Sequence, residues 1–194
     1  MLRLGFLASH LGSNMQVVID ACADGEIRAE PVVLISNNRS ARALKRADAA
    51  GFPGYCLNAN THPETDQLDG AIQKVLRDHQ VDLVILAGYL KKVGPITLSA
   101  FRNRMINIHP SLLPRHGGPG MYGLRVHETV LAAGDKVTGV TIHYVGMEYD
   151  QGRVIAQEIV SVIPGDSPET LSDRVLSVEN ELLVKTINNI SLTG

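Results

Sequence analysis

Tryptophan is missing from this chain, and aromatic residues make up 4% of its 194 positions. The core must therefore be built from Val, Ile, Leu and Ala. Such residues suit helices layered on a mostly parallel sheet. Only two cysteines are present, Cys22 and Cys56, far apart and outside any C-x-x-C spacing. That argues against a disulfide framework and for two free thiols in a reducing compartment. Neither sign of charge dominates, since 18 basic and 20 acidic residues leave a net charge of −2. No basic field exists to hold a nucleic-acid backbone non-specifically, although a small anion can still bind locally. No apolar run reaches the length of a membrane span. The apolar start, Met1 to Ala8, is short and passes straight into polar loop residues, so it reads as a first strand and not a signal peptide. The default location is the cytoplasm.

What is present is an alternation of strand and helix signals. Leu2 to Ala8 reads as a strand. Ser13 to Ala23 carries helical spacing through Met15, Val18, Ile19 and Cys22, and stops near Gly25. Pro31 to Ile35 is a second strand, ended by Ser36-Asn37-Asn38. Arg39 to Ala50 is a basic amphipathic helix closed by Gly51. A short strand (Gly54 to Leu57) and a helix (Glu64 to His79) follow. Val81 to Ala87 is the most apolar strand and is expected at the sheet centre. Ile96 to Phe101 reads as a short helix and Met105 to His109 as a strand. Arg115 to Gly123 is rich in glycine and can only be a loop. Leu124 to Ala133 is helical. The strands Thr138 to Val145 and Arg153 to Val162 are joined by seven residues, too few for a helical crossover, so they pair antiparallel. Ser167 caps a last helix, with Pro168 at its first position, running to about Asn188. The expectation is an α/β fold over residues 1–194. It has one doubly wound, mostly parallel Rossmann-like sheet, with one antiparallel strand near its carboxyl-terminal edge.

The most informative residues are Asn107-Ile108-His109-Pro110-Ser111-Leu112-Leu113-Pro114. Side chains alternate along a strand, so Asn107 and His109 leave from one face. Pro110 cannot donate to the ladder and ends the strand. An amide and an imidazole then stand together at a strand's carboxyl end, where open α/β sheets keep their ligand crevice. A donor beside a titratable base suits a reaction that builds negative charge on oxygen while moving a proton.

Other candidates carry two readings each. The turn Ser9-His10-Leu11-Gly12-Ser13-Asn14 is either an ordinary helix start or an anion site built on free amides. One glycine stands where G-x-G-x-x-G needs three, and no acid follows the second strand, so a single phosphate fits better than a dinucleotide. Asp150, in Tyr149-Asp150-Gln151-Gly152, is either a turn residue or a carboxylate that orients His109 and raises its pKa. His143 reads as a hydrogen-bonded interior residue, and His127 as structural or solvated. His10, His62, His79 and His116 fall in loops or at helix ends. No spacing among the seven histidines resembles a metal site. Ser111 lies outside any G-x-S-x-G elbow. Lys91-Lys92 is a solvated pair or a greeting for an anionic tail.

Together these residues resemble the glycinamide ribonucleotide (phosphoribosylglycinamide) formyltransferases. The resemblance runs from Gly12-Ser13-Asn14 through Leu86-Ala87-Gly88-Tyr89-Leu90 and the Asn107 to Pro114 octapeptide. It continues through Gly139 to Val145 and Asp150-Gln151-Gly152 to Pro164 to Leu171 and Arg174-Val175. It implies a catalytic trio of Asn107, His109 and Asp150. It implies that Gly12, Ser13 and Asn14 hold a substrate phosphate and Glu179 its ribose. Leu90, Val93 and the stretch Met147 to Gly152, including Tyr149, would line a pterin pocket. The formyl donor would be 10-formyltetrahydrofolate, a co-substrate, and no metal is implied.

The implied chemistry is attack by the amine of a phosphorylated ribosyl substrate on the formyl carbon. Asn107 and a protonated His109 would stabilise the oxyanion. The pattern departs from the family where His10 replaces a glycine and at Glu179-Asn180-Glu181. These departures touch the acceptor side. Open alternatives are the same chemistry on another amine or nucleotide-linked sugar, a nucleotide- or folate-binding module without turnover, and a nicotinamide dehydrogenase. Length argues against the methionyl-tRNA formyltransferases, which add an RNA-binding domain, and the formyltetrahydrofolate deformylases, which add an amino-terminal one. The expected partners are small molecules, with no nucleic acid and no membrane. The oligomeric state is open between monomer and homodimer.

Overall fold

A computed structural model describes residues 1–193. Seven strands form one sheet: β1 (Leu2–Ala8), β2 (Ala29–Ser36), β3 (Gly54–Cys56), β4 (Leu83–Leu86), β5 (Met105–His109), β6 (Val137–Tyr144) and β7 (Val154–Ser161). Their spatial order is β3-β2-β1-β4-β5-β6-β7, which puts the apolar β4 at the centre. Pairing is parallel from β3 to β5 and antiparallel at β5–β6 and β6–β7. β6 is thus the one strand that runs against the rest, although a helix lies in the connection before it.

Alternation sends Leu4, Phe6 and Ala8 of β1 to one face and Leu7 to the other. The first face packs on α1 (Ser13–Ala23), α2 (Arg42–Ala49), α5 (Leu124–Ala132) and the long α6 (Pro168–Thr193). The second packs on α3 (Thr65–Asp78) and α4 (Pro95–Ala100). The buried side chains are overwhelmingly aliphatic, as the composition requires.

Most strand and helix ends fall within two residues of the sequence expectation, and three of the shifts at helix ends have a plain local cause. α2 starts at Arg42, not Arg39, because Asn38 turns the chain first: its side-chain oxygen accepts from the Ser40 amide and its carbonyl from the Ala41 amide. α6 continues past Asn188 to Thr193, since no glycine or proline intervenes to stop it. α4 begins one residue early at Pro95, where buried Asp69 of α3 caps it by accepting from the Ile96 and Thr97 amides at 2.7 and 3.0 Å.

The order of strands decides where a ligand can sit. From β1 the chain moves outward to β2 and β3, then returns to the other side of β1 as β4. The helices after β1 and β4 therefore diverge, and a crevice opens at the carboxyl ends of these strands.

Candidate active site

A cavity of about 640 Å³ occupies that crevice, within the range of small-molecule sites. The β1–α1 turn, the segment after β4, the end of β5, the glycine-rich loop with α5, the loop before β7 and α6 converge on it.

The β1–α1 turn contributes Gly12, Ser13 and Asn14. Gly12 has φ 64°, and a Cβ there would stand 2.8 Å from Ala43 Cβ, so only glycine fits. The carbonyls of Ser9, His10, Leu11 and Gly12 accept from Asn38, Ala43, Arg46 and Gln16 respectively. No side chain caps α1, so its leading amides stay available. Carbonyls turned away and free amides at a helix start are what an anion needs. Glu179, from α6, lies on the same cavity wall; burial pushes its carboxyl up to about 7.

At the end of β5, Asn107 and His109 leave from one face as the alternation requires. The antiparallel register then sets His143 of β6 opposite Asn107. His143 donates from Nδ1 to the Tyr144 carbonyl at 2.9 Å, which turns Nε2 toward the Asn107 amide at 3.1 Å. The second amide hydrogen of Asn107 is left for the cavity. His109 donates from Nε2 to the His116 carbonyl at 2.9 Å, and its Nδ1 lies 3.6 Å from Asp150 Oδ2. Asp150 sits between the two imidazoles, with His143 Nε2 at 3.5 Å from Oδ1 and the Gly118 amide donating to Oδ2 at 2.8 Å. Asn107, His109 and Asp150 are therefore brought together at one cavity wall.

Electrostatics here depart from the simplest expectation. Burial pulls the His109 pKa down and outweighs the upward pull of Asp150 and of the His116 carbonyl that accepts from the ring, with the charges of His143 and His116 adding smaller lowering effects. The ring is 3% exposed, and its pKa lies below the ordinary histidine value. For Asp150, burial acts to raise the carboxyl. His143, the charge of His109 and the Gly118 amide outweigh it and hold Asp150 below the usual carboxylate range. Burial thus works against the imidazolium of His109 while Asp150, 3.6 Å from Nδ1, works for it, and the carboxyl is itself held toward its ionised form.

The wall expected to take a pterin is assembled from two loops. Leu90 and Val93 come from the segment after β4, and Met147 and Tyr149 from the segment before β7. Lys92 ties the loops together: its Nζ lies 2.9 Å from Glu148 Oε2 and 5.5 Å over the Tyr149 ring. Gly152 stands apart, outside the cavity wall. A Cβ there would fall 1.5 Å from the Tyr144 carbonyl oxygen, so glycine lets the turn close behind Asp150.

Sequence reasoning named His143, His116, His127 and the glycine-rich loop without placing them at the site; His143 is the hydrogen-bonded interior residue expected, buried at 2% exposure. Its place at the site was legible only through the β5–β6 register. His127, on α5, is buried at 2% exposure on the cavity wall, and its Nδ1 has no hydrogen-bond partner among the described residues. Burial and the neighbouring His109 lower its pKa. Lys91 also lines the cavity. Among the described residues no cluster of His, Cys, Asp or Glu could hold a metal ion.

A family profile described as formyl transferase matches residues 2–187, and the chain belongs to that family. More particularly, it is 39% identical over 189 residues to a chloroplastic phosphoribosylglycinamide formyltransferase of Arabidopsis thaliana, covering 97% of this chain and 65% of that one. It is 38% identical over 192 residues to a phosphoribosylglycinamide formyltransferase of Mycobacterium tuberculosis, covering 99% and 86%. The solved structure of glycinamide ribonucleotide transformylase 1 from Symbiobacterium toebii superposes with a TM-score of 0.92 at 37% identity, covering 100% of this chain and 89% of that one. The chain thus spans just under two thirds of the plant relative and more of the bacterial ones.

Proposed function

We propose that this protein transfers the formyl group of 10-formyltetrahydrofolate to the amine of glycinamide ribonucleotide. Residues 1–194 act as one formyltransferase domain, and a cytoplasmic location is part of the same reading. The observation that carries it is the meeting of Asn107, His109 and Asp150 at the crevice of the sheet, beside a helix start with free amides.

In this reading the Gly12-Ser13-Asn14 turn holds the phosphate of the acceptor, and Glu179 its ribose. The folate ring lies against Leu90, Val93, Met147 and Tyr149. The acceptor amine attacks the formyl carbon, and its oxygen becomes an oxyanion that accepts the free amide hydrogen of Asn107. One such donor is worth roughly 3 kcal/mol in the transition state. His109 starts neutral and takes the proton the amine gives up. The imidazolium so formed is stabilised by Asp150 and adds positive charge beside the oxyanion. The carbon–N10 bond then breaks, the proton passes to N10 through water, and tetrahydrofolate leaves with the formylated amide behind. His109 is thus protonated when it faces the oxyanion, as the resemblance implied, and in this reading it gains that proton from the attacking amine.

The test is a single-turnover assay with 10-formyltetrahydrofolate and glycinamide ribonucleotide, followed by a screen of other amines. Release of tetrahydrofolate only with a different amine would keep the chemistry and change the acceptor. Both ligands bound without turnover would make the protein a binding module.

A further inference from the structure

We propose that His116 and Asp135 form a latch that fixes the tautomer and orientation of His109 through the His116 backbone carbonyl. The inference rests on the formyl-transfer reading of His109 for its kinetic consequence.

A carbonyl oxygen can only accept, so the 2.9 Å contact with His116 assigns a proton to Nε2 of His109. The lone pair then lies on Nδ1, facing Asp150 at 3.6 Å. The base is thus oriented by a backbone carbonyl on one side and meets its carboxylate on the other. Everything depends on that carbonyl staying in place. It belongs to a residue at φ 55°, in the left-handed region that non-glycine residues avoid. The chain continues as Gly117-Gly118-Pro119-Gly120, and the first two glycines give little backbone stiffness.

The His116 side chain supplies the hold. Its Nε2 lies 2.8 Å from Asp135 Oδ2, and its Nδ1 lies 3.1 Å from Thr129 Oγ1. The Thr129 hydroxyl also donates to the Val126 carbonyl at 2.7 Å, which fixes its rotamer on α5. An ionised carboxylate only accepts, so Nε2 of His116 donates to Asp135. Arg115 completes the cluster from the solvent side at 2.6 Å from Asp135 Oδ1. The His116 bond, ahead of Arg115, holds the Asp135 carboxyl below the usual range against the opposing pull of burial. The same short segment donates the Gly118 amide to Asp150. One clamped stretch of backbone thus touches both members of the proton-moving pair, while Asp135 and Thr129 stand away from the cavity. Asp135 and Thr129 are positioning residues.

The test combines imidazole ¹⁵N NMR with steady-state kinetics on the full chain. In the wild type, His109 is expected as a single Nε2–H tautomer. Asp135→Ala should give a mixture of tautomers and a fall in kcat of about 10- to 100-fold, as a base displaced by a fraction of an ångström to an ångström loses rate. KM for both substrates should stay within about twofold, because the binding walls are untouched. Thr129→Val should act in the same direction and leaves the carboxylate in place should Asp135→Ala fold poorly. Arg115→Met removes only an ion pair whose arginine side chain is 64% exposed, and should leave tautomer and kcat unchanged. A folded Asp135→Ala or Thr129→Val protein with the wild-type tautomer and kcat would overturn the latch. So would an Arg115→Met defect equal to that of Asp135→Ala. Absence of turnover in the wild type refutes the transfer reading instead, and the NMR arm still decides the latch.

Discussion

Replacing Asp150 with asparagine removes one charge and almost no volume. The Gly118 amide at 2.8 Å can still donate to the remaining side-chain oxygen, so the turn should hold its shape. What disappears is the attraction across 3.6 Å between the carboxylate and the imidazolium that forms on His109. At an effective dielectric of about 20, two unit charges at that separation interact by roughly 4 to 5 kcal/mol. At 1.36 kcal/mol per decade this caps the loss near three decades, inside the 10²- to 10⁴-fold typical of positioned acid–base groups. We expect kcat to fall by about 10³ with KM for glycinamide ribonucleotide little changed, since its phosphate turn lies on another strand end. The stability signature is separate. The folded-state pKa of Asp150 is lowered, so it stabilises the protein above its unfolded pKa, and that contribution is lost as pH falls through the folded value. Asp150→Asn should lose this part of the acid transition. The assay is tetrahydrofolate release at saturating donor, with urea melts at several pH values below neutrality. A kcat within threefold of wild type would falsify the proton-moving role and return Asp150 to a turn residue.

Three further expectations follow from the same geometry. His109→Ala should abolish most turnover while phosphate-ligand binding, read by calorimetry, stays nearly intact; parallel loss of binding would make the ring structural. Glu179 has its carboxyl raised by burial to about 7 from 4.5, so the folded state binds the extra proton and stability is lost as pH rises through that window. Glu179→Gln should therefore stabilise the ligand-free protein by up to about 3 kcal/mol above pH 7 and by little near pH 4, and an equal effect at both ends would refute the assignment. Gly152→Ala forces a Cβ against the Tyr144 carbonyl and should cost roughly 1–3 kcal/mol, lowering Tm by several degrees. It should also slow turnover, although Gly152 is outside the cavity wall, because Asp150 sits two residues away. An unaltered Tm would show that the turn accommodates the methyl group.

Much of this protein was readable from residue order alone, and the reason is locality. Alternation over Met105 to His109 put Asn107 and His109 on one face, and Pro110 ended the strand. Ser167 with Pro168 marked the start of α6, where the Ser167 hydroxyl accepts from the Thr170 amide at 3.2 Å. Aliphatic composition and the strand–helix rhythm specified a layered sheet. Each of these signals acts within a few residues.

The remaining features depend on contacts between distant segments. Running β6 antiparallel to β5 set His143 beside Asn107, across 36 positions of sequence. Folding the glycine-rich loop back laid the His116 carbonyl on His109 and the Gly118 amide on Asp150. Packing then removed the water that would have kept His109 near its ordinary pKa. Burial outweighed the neighbouring carboxylate, because desolvation acts on the whole ring while Asp150 meets it at one edge. Strand register, loop placement and dehydration arise from contacts between distant segments, and no short stretch of sequence contains them.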